Sequence, residues 1–131
     1  MLPAALVVAA IAIPGGVASG VERVRVNTVL EIEGIDPGTG AGAIGAEGEV
    51  RARKRFCESG RFVTVWKGNP DNGGTKAGFA TTASNGSWEM TFPAQGATDL
   101  TNYHATVARK SRLRNGTRLI CRPDRNRFGS P

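Results

Sequence analysis

The chain has 131 residues, with 18 glycines, 7 prolines and few aromatics, which fits one domain of short elements joined by turns and argues against long helices. Its formal charge of +6 and pI of about 10.2 are compatible with an anionic partner. Two cysteines and one histidine are too few for a four-ligand zinc site without carboxylates, and no Cys-x-x-Cys is present for redox catalysis.

Residues 4–13, Ala4-Ala5-Leu6-Val7-Val8-Ala9-Ala10-Ile11-Ala12-Ile13, form an apolar run that Pro14-Gly15-Gly16 breaks. Small residues follow at Val17-Ala18-Ser19-Gly20, although no Lys or Arg precedes the run. The run has the length of a signal-peptide hydrophobic region and is too short to cross a membrane. Residues 1–20 are therefore read as a signal-peptide helix, cleaved before Gly20 or Val21, with an uncleaved anchor as the alternative. The mature chain is expected outside the cytoplasm, secreted or at the cell surface, with no stable membrane span.

Val24 to Ile35 reads as a strand, because Leu30 and Ile32 alternate with Glu31 and Glu33. Asp36 to Gly42 is a turn-rich loop. Gly45 to Phe56 is a second strand ending in a basic stretch. After the turn Cys57-Glu58-Ser59-Gly60, the segment Arg61 to Lys67 is the clearest strand. Val63 and Val65 share one face, and Phe62, Thr64 and Trp66 the other. Gly68 to Gly74 is a hairpin-type loop, and Gly78 to Thr82 a short strand. Ser84-Asn85-Gly86-Ser87 is a tight turn in which Asn-Gly supplies positive φ. Trp88, Met90 and Phe92 then alternate with Glu89 and Thr91 and form a core face. Pro93 to Thr101 is loop. Tyr103, Ala105 and Val107 alternate with His104, Thr106 and Ala108. Arg109 to Gly116 reads as a turn, and Thr117 to Arg122 as the last strand. The expected architecture is all-β, a single antiparallel β-sandwich of about seven strands over residues 21–123. Residues 124–131 are expected to form a flexible basic tail.

In an oxidising compartment the even cysteine count suggests a Cys57–Cys121 disulfide. The alternative is a pair of buried free thiols. A bond closing so long a loop contributes on the order of 4 kcal/mol by chain-entropy reasoning.

The order Cys57-Glu58-Ser59-Gly60-Arg61-Phe62-Val63-Thr64-Val65-Trp66-Lys67, then Thr81 to Trp88, then Tyr103-His104-Ala105-Thr106-Val107, then Cys121, resembles a known group. It is similar to secreted actinobacterial proteins with a prealbumin-like or carboxypeptidase-regulatory-like (Ig-like) β-sandwich, over roughly residues 28 to 122. The resemblance implies that fold and a non-catalytic accessory role, and brings no binding residues. Two departures stand out. Thr82-Ala83-Ser84 occupies the acidic hairpin position of the family, and its Val-rich closing strand is replaced by Arg122 to Pro131, where Phe128 is the only large apolar residue.

Several motifs bear on chemistry. Gly40-Ala41-Gly42-Ala43-Ile44-Gly45 matches a dinucleotide glycine pattern but lacks the helix and the later carboxylate, so it reads as a flexible loop. His104 lies mid-strand without a nucleophile elbow, and reads as a solvent-facing strand residue. Glu31 and Glu33 share one strand face, where pairing with Lys or Arg is favoured over glycoside hydrolysis. Asn69, Asp71, Asn72 and Gly73 lack the EF-hand register and read as a turn. Asn85-Gly86-Ser87 and Asn115-Gly116-Thr117 match glycosylation sequons and equally fit turns. Trp88 is assigned to the core. Trp66 reads as cover for the sandwich edge, or as a partly exposed ring able to stack on a sugar or base.

Eight of the 17 cations fall between Arg109 and the end of the chain, opposed only by Asp124. The expected function is a non-catalytic structural or interaction domain for a protein or cell-wall component, acting as a monomer and needing no cofactor or metal. The alternative is a basic module for polyanions, acidic polysaccharide or nucleic acid, built from Arg51, Arg53, Lys54, Arg109, Lys110, Arg112 and Arg114. An enzyme using Glu31, Glu33 and His104 is the third reading, although no two of them can be given catalytic roles at a workable spacing.

Overall fold

The computed structural model describes residues 20–36, 43–93 and 102–128. The signal-peptide reading, residues 37–42 of the glycine-rich loop and residues 94–101 lie outside the described residues. The regular structure of the described chain is nearly all β: β1 Glu22–Val26, β2 Val29–Asp36, β3 Ala43–Arg51, β4 Phe62–Lys67, β5 Thr75–Thr81, β6 Ser87–Pro93, β7 Tyr103–Val107, β8 Lys110–Arg114, β9 Thr117–Cys121 and β10 Asp124–Arg127.

Two sheets make the sandwich. One has the order β2-β3-β6 and the other β10-β7-β4-β5, all antiparallel. Their facing positions alternate as a half-buried strand requires. Leu30, Ile44, Ala46, Val50, Trp88 and Phe92 come from one sheet, and Val63, Val65, Tyr103, Ala105 and Val107 from the other. Aromatic contacts tie the layers: Phe92 lies 5.5 Å from Tyr103, and 6.2 Å from Phe128 in an edge-on arrangement. Gly48 admits the close packing of β2, β3 and β6. A Cβ there would stand 1.9 Å from the Glu31 carbonyl oxygen and 2.8 Å from the Trp88 ring.

A third sheet, β1-β9-β8, stands beside the sandwich. It contains a parallel pair, β1 with β9, so the fold is not wholly antiparallel. Beneath it lies a small second core of Val26, Cys57 and Cys121, with Val24, Ala52, Phe56 and Leu119 against it. The disulfide joins Cys57, in the 3-10 turn Arg55–Cys57, to the end of β9, with Cα atoms 5.3 Å apart. The bond thus fixes the third sheet to the loop between β3 and β4.

Three sequence expectations change. Val24 to Ile35 is two strands in different sheets, β1 and β2, divided at Asn27-Thr28. Arg109 to Gly116 is largely strand β8, which turns into β9 through Asn115 and Gly116, both at positive φ. Residues 124–127 of the expected tail form β10, which pairs with β7, and Phe128 is fully buried. The Asp124 carboxylate accepts the Leu30 N–H at 2.8 Å, and the Asn126 amide donates to the Leu30 carbonyl at 3.1 Å. Two side chains of β10 thereby extend the hydrogen bonding to β2 and close that side of the sandwich. On the other side β5 lies against β6, and a Cβ on Gly78 would reach 3.2 Å from Phe92.

Candidate basic interface

Arg61 organises the junction between the sandwich and the third sheet. It precedes β4, and its side chain is 1% exposed. Its guanidinium donates to the Cys57 carbonyl at 2.6 Å, the Arg122 carbonyl at 2.9 Å, the Ala108 carbonyl at 2.8 and 3.2 Å and the Thr28 hydroxyl at 3.0 Å. All its acceptors are neutral, and burial lowers its pKa from the ordinary value. A buried cation without a carboxylate is costly unless its donors are satisfied. The rigid five-donor fork meets that condition. Thr82, standing in the hairpin segment, accepts the Arg61 N–H at 2.7 Å and donates to the Glu58 carbonyl at 2.6 Å.

This junction positions β8, an edge strand whose Lys110, Arg112 and Arg114 share one face by alternation. The Lys110 ammonium donates to the carbonyls of Phe56 at 3.0 Å and Ser59 at 2.5 Å, and lies 4.0 Å from the Phe56 ring centroid. The Arg112 guanidinium lies 4.3 Å from the same ring. Phe56 therefore draws the loop that carries Arg53 and Lys54 onto the strand that carries Lys110, Arg112 and Arg114. Burial lowers the Lys110 pKa, and the neighbouring charges of Arg61 and Arg112 lower it further. On the other two strands of this sheet, Arg118 of β9 and Arg23 and Arg25 of β1 add positive charge on the opposite face by alternation, with Arg23 directly opposite Arg118. Among the described residues none of these cations forms an ion pair with a carboxylate.

Arg51 does not join this group. Its guanidinium contacts Glu31 at 2.7 Å, Glu49 at 3.1 Å and Glu33 at 3.7 Å. The hydrogen bond to Glu31 and then the surrounding carboxylates raise its pKa. The pairing expected for Glu31 and Glu33 is thus supplied by the arginine that sequence placed among the polyanion contacts. The outer face of β2-β3-β6 is acidic: Glu31 faces Glu49 and Glu47 faces Glu89 in register. Such like-charged cross-strand pairs are unfavourable, and Arg51 offsets the first of them. Oxygens of Glu31, Glu33 and Glu49 lie within 4.8 Å of one another, around this guanidinium.

Trp88 is buried in the core, with its indole N–H unpartnered. His104 is half-buried on the outer face of β7, between Trp66 and Arg127 in register, and its Nδ1 has no partner. Asn69 forms an Asx turn to the Asp71 N–H at 2.9 Å, and Asp71 pairs with Arg125 at 2.7 Å. That loop is a turn with its carboxylate engaged. Arg61 escaped the sequence-based site candidates. Its parity with Val63 and Val65 was the available signal, since alternation places all three on the inner face.

No helix among the described residues is long and apolar enough to cross a membrane. No protein-family model, curated protein or solved structure matches the chain.

Proposed function

We propose that the chain is a non-catalytic extracytoplasmic binding domain whose basic pole, centred on β8, holds a polyanion. The single observation that carries this reading is the segregation of charge. Arg53, Lys54, Arg109, Arg112 and Arg114 are exposed and free of carboxylates, while Glu31, Glu33, Glu47, Glu49 and Glu89 gather on the outer face of a different sheet. A surface divided in this way orients an anionic chain and excludes it from the acidic face. The disulfide supports a place outside the reducing cytoplasm. The resemblance to secreted prealbumin-like or Ig-like sandwiches supports an accessory rather than catalytic role.

Retention on immobilised heparin tests the reading. Binding is expected at low salt, with log K falling linearly against log salt as counterions are released. Arg112→Gln with Arg114→Gln is expected to reduce that slope by about two, roughly one per lost phosphate-type contact. Passage through the column at low salt would refute the proposal.

A further inference from the structure

The outer face of β10-β7-β4-β5 carries rings that the core does not need. Phe79 on β5 is 64% exposed and Phe62 on β4 is 42% exposed, and the two rings stack at 5.2 Å. Further along the same face the Trp66 indole donates to the Thr106 hydroxyl at 2.9 Å, which lays it across β4 and β7. The Lys76 ammonium lies 5.9 Å from its centroid, and Arg127 follows on the same lateral row beyond His104. Among the described residues neither Lys76 nor Arg127 is paired with a carboxylate. The face adjoins the start of the basic segment, where the Phe62 carbonyl accepts the N–H of Ala108, the residue before Arg109.

Exposed stacked rings on an open sheet face, bordered by the unpaired Lys76 and Arg127 and by the Arg125–Asp71 ion pair, complement a ligand with planar apolar units on an anionic backbone. Cation rows alone fit any polyanion. Flat rings add affinity for units that lay a flat face on them; every nucleobase has a π-face, whereas the charged, sulfated rings of an acidic glycan offer little apolar face. We infer that the polyanion of this domain is single-stranded nucleic acid, whose bases stack on Phe62 and Phe79 while its phosphates follow Lys76, Arg127 and the basic pole. This rests on the polyanion reading above and specifies its ligand.

The test compares an oligo-dT strand, a DNA duplex and a heparin oligosaccharide of equal charge, using Trp66 fluorescence and anisotropy on the full chain. Trp88 is buried and serves as a constant background. The single strand is expected to bind at least 10-fold more tightly than duplex or heparin fragment. Phe79→Ala removes an exposed ring, so the fold is retained. It is expected to weaken dT binding about 5- to 100-fold, the range for one lost base stack, and to leave heparin binding unchanged. Equal affinity for the three ligands, or indifference of dT binding to Phe79→Ala, would overturn this inference while leaving the polyanion reading intact. Tightest binding to the heparin fragment would overturn it in favour of an acidic glycan. Concentration-dependent doubling of mass that Phe79→Ala abolishes would overturn it in favour of a second copy covering the face. Failure to bind any of the three at low salt would instead remove the polyanion reading itself.

Discussion

Arg61 shows how one side chain can define a junction. Four separate chain positions, Thr28, Cys57, Ala108 and Arg122, end in bonds to its guanidinium. Arg61→Met fills similar space but leaves three carbonyls and a hydroxyl without that donor, each worth about 1–3 kcal/mol when buried and unpaired. A loss on the order of 3 kcal/mol or more is expected in urea melts, a large share of the roughly 5–15 kcal/mol typical of a domain. Asp124→Ala tests a smaller device. It strips the Leu30 N–H of its acceptor and is expected to cost about 1–3 kcal/mol, with faster hydrogen exchange confined to β2 and β10. Lys110 supplies a pH signature. Its folded pKa lies below the ordinary 10.5, with burial as the main cause. Between the two values the unfolded chain binds more protons, so stability rises with pH through that window. A carbon-detected titration of the lysine side chains is expected to place the Lys110 midpoint below the ordinary lysine value. A midpoint at the ordinary value would contradict the described burial of this ammonium beside Arg61 and Arg112.

At the scale of elements, strand periodicity was legible wherever inward positions were apolar. Val63 and Val65, Trp88 and Phe92, and Tyr103, Ala105 and Val107 all bury the faces that alternation assigns them. The pattern failed where polar residues face inward for a structural reason. In β10, Asp124 and Asn126 occupy the inward parity because their side chains hydrogen-bond the β2 backbone, so only Phe128 advertised the strand. β8 was hidden because the small second core beneath its sheet is capped by the aliphatic and cationic parts of Lys110 and Arg112 over Phe56, not by apolar side chains. The division between β1 and β2 was invisible because the run from Val24 to Ile32 keeps its alternation through the change of sheet, and breaks it only at the register shift between Ile32 and Gly34. The disulfide holds β9 and β8 against the β3–β4 loop. With Cys57 and Cys121 separated by 64 residues, the paired substitution Cys57→Ser with Cys121→Ser is expected to cost about 4 kcal/mol by chain-entropy reasoning. Chemical denaturation of both forms checks this. Protection in the third sheet should fall before protection in the sandwich.

For the whole molecule, the consequential feature is the distribution of charge, which composition alone did not reveal. The seven cations proposed from sequence as polyanion contacts divide in the fold. Arg51 turns to the carboxylates of β2 and β3, Lys110 is tied to carbonyls, and the others remain exposed around β8 and the preceding loop. Arg51→Gln should therefore leave heparin retention unchanged. It should also lower the melting temperature at neutral pH and low salt, where Glu31 and Glu49 repel, by more than it does at high salt. The most direct test of the basic pole is an amide chemical-shift map of the labelled protein titrated with a heparin oligosaccharide. The account predicts perturbations concentrated on residues 53–55 and 109–114 and on the adjoining β9, with the outer face of β2-β3-β6 silent. Perturbations centred on Glu47 and Glu89, or none at saturating ligand in low salt, would contradict it.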